Sequence, residues 1–312
     1  MKRILKYLIT GSIIMILLAG CGAEDKPVDS KIEGKLNVVT SFTIIADIAR
    51  EIGGDDIEIH NLVPTGTDPH EYEPLPQDIK KATDADVLFY NGLNLEGGKD
   101  GWFFKMIDSV GQKEENIYSL TERVEPMYLT SEDGKEEEIN PHAFIDPSVG
   151  IKMAEDLRDA LMVKDPERRE KYEERANAYL DRLKEMDKVY EDLINDIPEE
   201  RRILVTSERA FQYMTNRYGL KEGYIWAIDT EENGSPNQIK SLISFLNENK
   251  VPILFVESNV DIRPMETVSR ETGIPLSKKP IYSDEIGRPG DEVDTYMKYL
   301  NYNIRLIYGE LK

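Results

Sequence analysis

Residues 167–195 read ERREKYEERANAYLDRLKEMDKVYEDLIN. Apolar side chains recur there at Tyr172, Ala176, Tyr179, Leu183, Met186, Tyr190 and Leu193, the three- and four-residue spacing of one helical face. Just upstream, Asp165 suits an N-cap and Pro166 the first helical position. The repeat is close to that of a coiled coil, but one short stripe rich in tyrosine fits a helix lying along a globular body better. About thirty residues at 1.5 Å each span roughly 45 Å, enough to run the length of a two-lobed protein. The spacing therefore predicts a rigid helix over 165–196 with one lobe on either side.

Outward from it, both flanks alternate strands with helices. Before the helix, 36–40 (LNVVT), 57–63 (IEIHNLV) and 85–90 (ADVLFY) are short apolar runs rich in branched residues. Between them, IIADIAREIG has helical periodicity. After it come RILVTS, VPILFVES and GIPLSKKPIY, separated by helical patterns, and TYMKYLNYNIRLIYGEL closes the chain as an amphipathic helix. Alternation of this kind implies parallel, doubly wound sheets. The expected fold class is α/β: two doubly wound parallel-sheet lobes, 36–164 and 197–312, joined by one long helix.

The first residues read differently. Lys2, Arg3 and Lys6 precede an uncharged, mostly apolar run from Tyr7 to Ala19. That run is shorter than the roughly 20 residues of a membrane span, so 1–20 reads as a signal peptide. It ends in Leu18-Ala19-Gly20-Cys21, which resembles the bacterial lipobox; the resemblance implies cleavage before Cys21 and lipid attachment to it. Residues 21–35 are polar and unpatterned, as expected of a tether. Cys21 is the only cysteine, so no intramolecular disulfide can form and no other thiol is left for chemistry. The chain carries 60 Asp and Glu against 39 Lys and Arg, for a net charge of −21. That balance argues against nucleic acid or anionic lipid surfaces as partners.

Among the three histidines, His60 lies inside an apolar strand pattern and reads as incidental. The other two share a context, Asp68-Pro69-His70 and Asn140-Pro141-His142. Proline fixes its own φ and biases the preceding residue towards extended backbone, so each imidazole is presented from a stiff turn, as a preorganised ligand should be. In open α/β folds, ligands bind beyond the carboxyl ends of strands. His70 follows one such strand, Glu208 lies two residues beyond RILVT, and Asp284 follows the apolar stretch ending at Tyr282. Among sixty acids, either carboxylate taken alone reads equally well as surface acidity. Two histidines from one lobe and two carboxylates from the other would place a metal site in the interlobe cleft.

Several segments together resemble a known family: TSFTIIADIAREIGGD, LVPTGTDPHEYEPLPQDI, NGLNLEGG, NPHAFIDPSVGI, TSERAFQYM, YIWAIDTEENGSPNQI, LFVESNVDIRP and YSDEIG. They are similar to the metal-specific solute-binding lipoproteins of bacterial manganese and zinc ABC importers, a group that includes proteins first described as streptococcal adhesins. The resemblance implies metal ligands at His70, His142, Glu208 and Asp284. It implies a lipid-anchored monomer on the outer side of the cell membrane, working with an ABC permease and its ATPase. Zinc-specific members generally carry histidine at the third ligand position and a histidine-rich loop before the second motif. Here that position is Glu208, and the loop TSEDGKEEEIN has no histidine, so the resemblance points to Mn2+, with Zn2+ or Fe2+ as the alternative load. Glu285 stands beside Asp284 where the family more often has a small residue, and is a second carboxylate at that turn. A zinc hydrolase would use the same histidines with an open water position, but an HExxH spacing is missing. A surface adhesin would be expected to show repeats or a stalk, and the sequence has neither. The chain is thus expected not to be an enzyme.

Overall fold

A computed structural model describes residues 34–130, 136–228 and 234–312. The expected signal peptide, Cys21 and nearly all of the expected tether lie outside the described residues, as does the middle of the acidic loop.

The first half builds the predicted sheet. Strands β1 (Leu36–Phe42), β2 (Ile57–Val63), β3 (Val87–Tyr90) and β4 (Ile117–Ser119) lie in the order β2-β1-β3-β4, every pairing parallel. Helices α1 (Thr43–Gly53), α2 (Pro76–Thr83) and α3 (Trp102–Val110) fill the crossovers. The burial of α1 shows why its sequence folds so: Ile44, Ile45, Ile48, Ala49 and Ile52 are fully enclosed. An antiparallel pair, β5 (Tyr128–Thr130) and β6 (Glu136–Ile139), was not legible in the acidic loop, whose composition carries no apolar alternation. Helix α4 (Pro147–Lys164) follows, capped by the Asp146 carboxylate, which accepts from Ser148 N–H at 2.8 Å.

The long helix starts later than expected. Pro166–Arg168 form a single 3-10 turn, and α5 runs Arg169–Asp196 over 28 residues, roughly 42 Å. Asp165 does not cap the backbone with its side chain; its carboxylate accepts from Tyr172 Oη at 2.8 Å and from the Arg168 guanidinium. These two strong partners turn the carboxylate away from the N–H groups it was expected to cap. Tyr172, Ala176, Tyr179, Leu183 and Tyr190 are buried as the stripe predicts, while Leu180 and Ile194 are more deeply enclosed than Met186 and Leu193. That drift is what a straight 3.6-residue helix does against a 3.5-residue repeat. The helix packs on α4 and α1 from the first half and on α9 (Tyr296–Leu311) from the second, and Tyr190 Oη donates to Leu300 O at 2.8 Å.

In the second half, β7 (Ile203–Glu208) and β8 (Lys221–Trp226) are parallel, with α6 (Gln212–Tyr218), α7 (Pro236–Glu248) and α8 (Arg263–Thr272) around them. The expected strands 251–258 and 273–282 extend this sheet only through isolated parallel bridges, Leu254 to Leu276 and Glu257 to Ile281, with Phe255 N–H donating to Val205 O at 2.9 Å. Pro252, Pro275 and Pro280 remove backbone donors from these segments, which keeps the ladders short. The main core draws on both halves and on α5; a smaller one lies between β7, β8, α7 and α8.

Candidate metal centre

The first ligand candidate sits on the loop after β2. Asp68 Oδ1 accepts the backbone N–H of His70 at 2.7 Å, across the intervening proline. Trp102 Nε1 donates to Pro69 O at 2.8 Å, and Tyr72 Oη donates to the buried Asp78 at 2.7 Å. The loop is thus pinned on both sides of His70. His142 is held by the same device with one addition. Asn140 Oδ1 accepts the backbone N–H of His142 at 3.0 Å and lies 2.8 Å from its ring Nδ1. An amide oxygen can only accept, so Nδ1 carries the proton and Nε2 keeps its lone pair. Asn140 Nδ2 in turn donates to Arg209 O at 2.9 Å and to Gln212 Oε1 at 3.0 Å, and Asn91 Nδ2 donates to Pro141 O at 3.0 Å.

Glu208 is the last residue of β7 rather than two residues beyond it. Its N–H and that of Ser207 donate to the Glu257 carboxylate at 2.9 and 3.1 Å. Burial pushes the Glu257 carboxyl up to about 7, against the pull of those N–H donors. Asp284 Oδ2 accepts from Ser283 Oγ at 2.9 Å and Asn259 Nδ2 at 3.1 Å, which leaves Oδ1 facing inward.

These side chains meet. The ligand atoms of His70, His142 and Glu208 all lie within 4.8 Å of one another. Donors about 2.0–2.2 Å from a single ion stand up to ~4.4 Å apart, so the spacing is that of a slightly relaxed coordination sphere. The two imidazole centroids are 5.2 Å apart. His142 Nε2 lies 3.8 Å from Glu208 Oε2 and 3.1 Å from Asp284 Oδ1, through which Asp284 joins the cluster. Among the described residues, His70 Nε2, His142 Nε2 and Asp284 Oδ1 are buried without a well-formed hydrogen bond, the 3.1 Å approach of the last two included. Buried polar atoms almost always have partners; three converging lone-pair atoms without one fit a cation. Burial, with His142 beside it, pushes the His70 imidazole below its ordinary value, towards the neutral form a metal requires. At Asp284 burial acts upward, but His142, His70 and Ser283 together hold the carboxyl below the usual carboxylate range.

His60 is elsewhere: its Nε2 lies 2.7 Å from Asp78 Oδ1, on β2. Glu285 also stays out of the cluster, its carboxylate turned to Gly66 N–H and to Ser258 Oγ. The supporting residues Asn140, Asp68, Glu257, Asn259 and Ser283 were not singled out from sequence. Only the Asx-Pro-His pattern signalled two of them, since an Asx side chain can accept from the N–H two residues on.

Residues 38–309 match the model of the family described as ZnuA, zinc-uptake complex component A, periplasmic. The manganese ABC transporter substrate-binding lipoprotein ScaA of Streptococcus gordonii is 43% identical over 300 residues, covering 96% of either chain. Its counterpart PsaA of Streptococcus pneumoniae is 44% identical, with 93% of each chain covered. Among solved structures, a manganese-bound periplasmic metal binding protein from Candidatus Liberibacter asiaticus superposes with a TM-score of 0.81 at 29% identity, covering 89% of this chain and all of that one. The periplasmic zinc binding protein TroA from Treponema pallidum gives 0.80 at 25% identity, covering 89% and 99%.

Proposed function

The chain belongs to the ZnuA family of metal-binding components of ABC importers, and from that premise we propose that it captures Mn2+ outside the cell and hands it to the importer's permease, which its ATPase drives. One observation carries the reading: two imidazole nitrogens and the Glu208 carboxylate converge in a buried cluster that Asp284 joins through His142. In this reading His70, His142, Glu208 and Asp284 are the ligands. The preference for manganese rests on the donors. Zn2+ outbinds Mn2+ at most sites of these types, so selection comes from geometry and supply. Two carboxylates can each offer two oxygens, which lets four residues reach the higher coordination that manganese accepts and tetrahedral zinc does not need. Relatives named as substrate-binding lipoproteins of manganese ABC transporters, at 43% and 44% identity, support the same choice.

A site with four protein donors suits capture rather than catalysis, since a hydrolytic metal keeps a position open for water. Lipidation at Cys21 would hold the protein at the outer face of the cell membrane, where a single copy suffices to carry one ion. The relatives' description as lipoproteins supports that anchor. The test is metal quantitation by mass spectrometry on protein purified from its own cells, followed by competition between the two metals. One equivalent of manganese is expected. A zinc or iron load, with manganese uptake intact in a deletion strain, would overturn the assignment.

A further inference from the structure

Glu285, the carboxylate beside a ligand turn where a small residue was expected, has its own place in the fold. It is buried, and its side chain reaches from the second half of the chain into the first. There it meets the loop that carries His70. Thr67 N–H donates to Pro64 O at 3.2 Å, closing a turn whose third residue, Gly66, has φ +88°. A turn of this type needs a left-handed residue at that position, which glycine adopts without strain. The turn leaves Gly66 N–H pointing outward, and the Glu285 carboxylate accepts it. The other carboxylate oxygen lies 3.5 Å from Ser258 Oγ. Next along the chain, Ile286 O accepts from Thr65 Oγ1 at 3.0 Å, and Ile286 N–H donates to Thr43 Oγ1 at 3.1 Å.

The two residues after Asp284 thus make three bonds to the first half, two of which, to Thr65 and Gly66, grip the turn just before His70. On the far side of the cluster a separate seam joins the halves: Asn140 to Arg209 and Gln212, and Tyr213 Oη to Asn140 O at 2.8 Å. The cluster is bordered by these two seams; in the second a neutral phenol, Tyr213 Oη, accepts Met127 N–H at 2.8 Å, whereas in the first the acceptor of a backbone N–H is a carboxylate, the stronger class of hydrogen bond.

We propose that Glu285 is a latch: it positions the His70 loop against the Asp284 turn through Gly66 and so sets how fast the metal leaves, without being a ligand itself. The proposal rests on the reading that His70 and Asp284 are ligands. Loss of the latch frees one wall of the site, so its effect falls on dissociation; capture depends on the ligands, which remain.

The experiment compares wild type with Glu285→Ala, Glu285→Gln and Glu285→Asp. Manganese release is followed by stopped-flow after a chelator chase, and amide exchange at Gly66 is followed in the metal-free protein. Glu285→Ala is expected to release manganese on the order of ten-fold faster, the size of effect typical of groups that orient ligands, with the association rate little changed and Gly66 exchange accelerated. Glu285→Gln keeps an acceptor oxygen and is expected to restore most of both. Should Glu285→Ala fail to fold, Glu285→Asp, one methylene too short to reach Gly66, takes its place. Release at the wild-type rate, or Gly66 exchange unaltered, overturns the latch. Asp284→Ala serves as control: if it binds manganese as wild type does, the ligand assignment fails, while Gly66 exchange still decides whether Glu285 holds the turn.

Discussion

Asn140 and His142 are joined twice across a single proline: Asn140 Oδ1 takes both the backbone N–H and the ring Nδ1 of His142, at 3.0 and 2.8 Å. One oxygen thereby sets the position and the tautomer of the imidazole. Orienting partners of this kind are typically worth about 10–100-fold in metal affinity. Asn140→Ala is expected to weaken manganese binding by that factor in titration calorimetry, whereas His142→Ala should cost more than about 100-fold. Unchanged affinity in Asn140→Ala would mean that packing alone holds the ring.

His60 and His70 separate two roles for one residue type. His60 is 2.7 Å from Asp78, which also accepts from Tyr72 Oη and Leu75 N–H. Two bonds to Asp78 survive its removal, so His60→Ala is expected to cost about 1 kcal/mol of stability and to leave manganese affinity near wild type. His70→Ala should do the reverse, keeping most of the melting temperature and losing the metal. A large affinity loss in His60→Ala would place Asp78 in control of the His70 loop.

At position 208 the choice is between one donor and two. Glu208 ends β7 with its backbone fixed by Glu257, so a histidine there would present one nitrogen from the same place. Glu208→His is expected to lower manganese affinity much more than zinc affinity, because it removes an oxygen donor and favours a tetrahedral sphere. Parallel titrations with the two metals check this; equal losses would show that Glu208 is not what tunes the site.

Several buried acids give the metal-free fold a definite pH dependence. Burial pushes the Glu96 carboxyl from 4.5 up to about 7, against the nearby Ser41 hydroxyl and hydrogen bonds from the N–H groups of Asn91 and Gly92. Burial likewise raises Asp47 and Asp146 from 3.8 to about 6. For each, the folded state holds a proton that the unfolded chain releases. The stability is therefore fully present below the unfolded value and lost as pH rises through the folded one. His70, pushed down by burial, acts the other way: its contribution is present above its unfolded value and lost as pH falls through the lower folded one. One such acid changes stability by about 1.4 kcal/mol per pH unit. Urea unfolding of the metal-free protein is expected to show stability declining as pH rises from the unfolded Glu96 value of 4.5 to about 7, with a shallower decline in Glu96→Gln. An identical slope in that variant would remove Glu96 from the account.

What the sequence determined by itself is local. The apolar stripe of 172–193 specified the long helix, and branched runs between helical patterns specified parallel α/β halves, because a 3.6-residue or two-residue period can be read without knowing what the face packs against. Asx-Pro-His, twice, was visible for the same reason: stiffness of a turn is a property of three neighbours. Tertiary structure alone decided which groups meet. Residues 70, 142, 208 and 284 are far apart in the chain, and only the packing of both halves on α5 brings His70, His142 and Glu208 within 4.8 Å of one another and Asp284 Oδ1 to 3.1 Å from His142 Nε2. Nor could composition separate neighbouring acids: Asp284 faces inward because Ser283 and Asn259 hold its other oxygen, while Glu285, one residue on, is drawn across to Gly66. Which of the two neighbouring acids faces the site is fixed by these partners in the fold, not by the residue type.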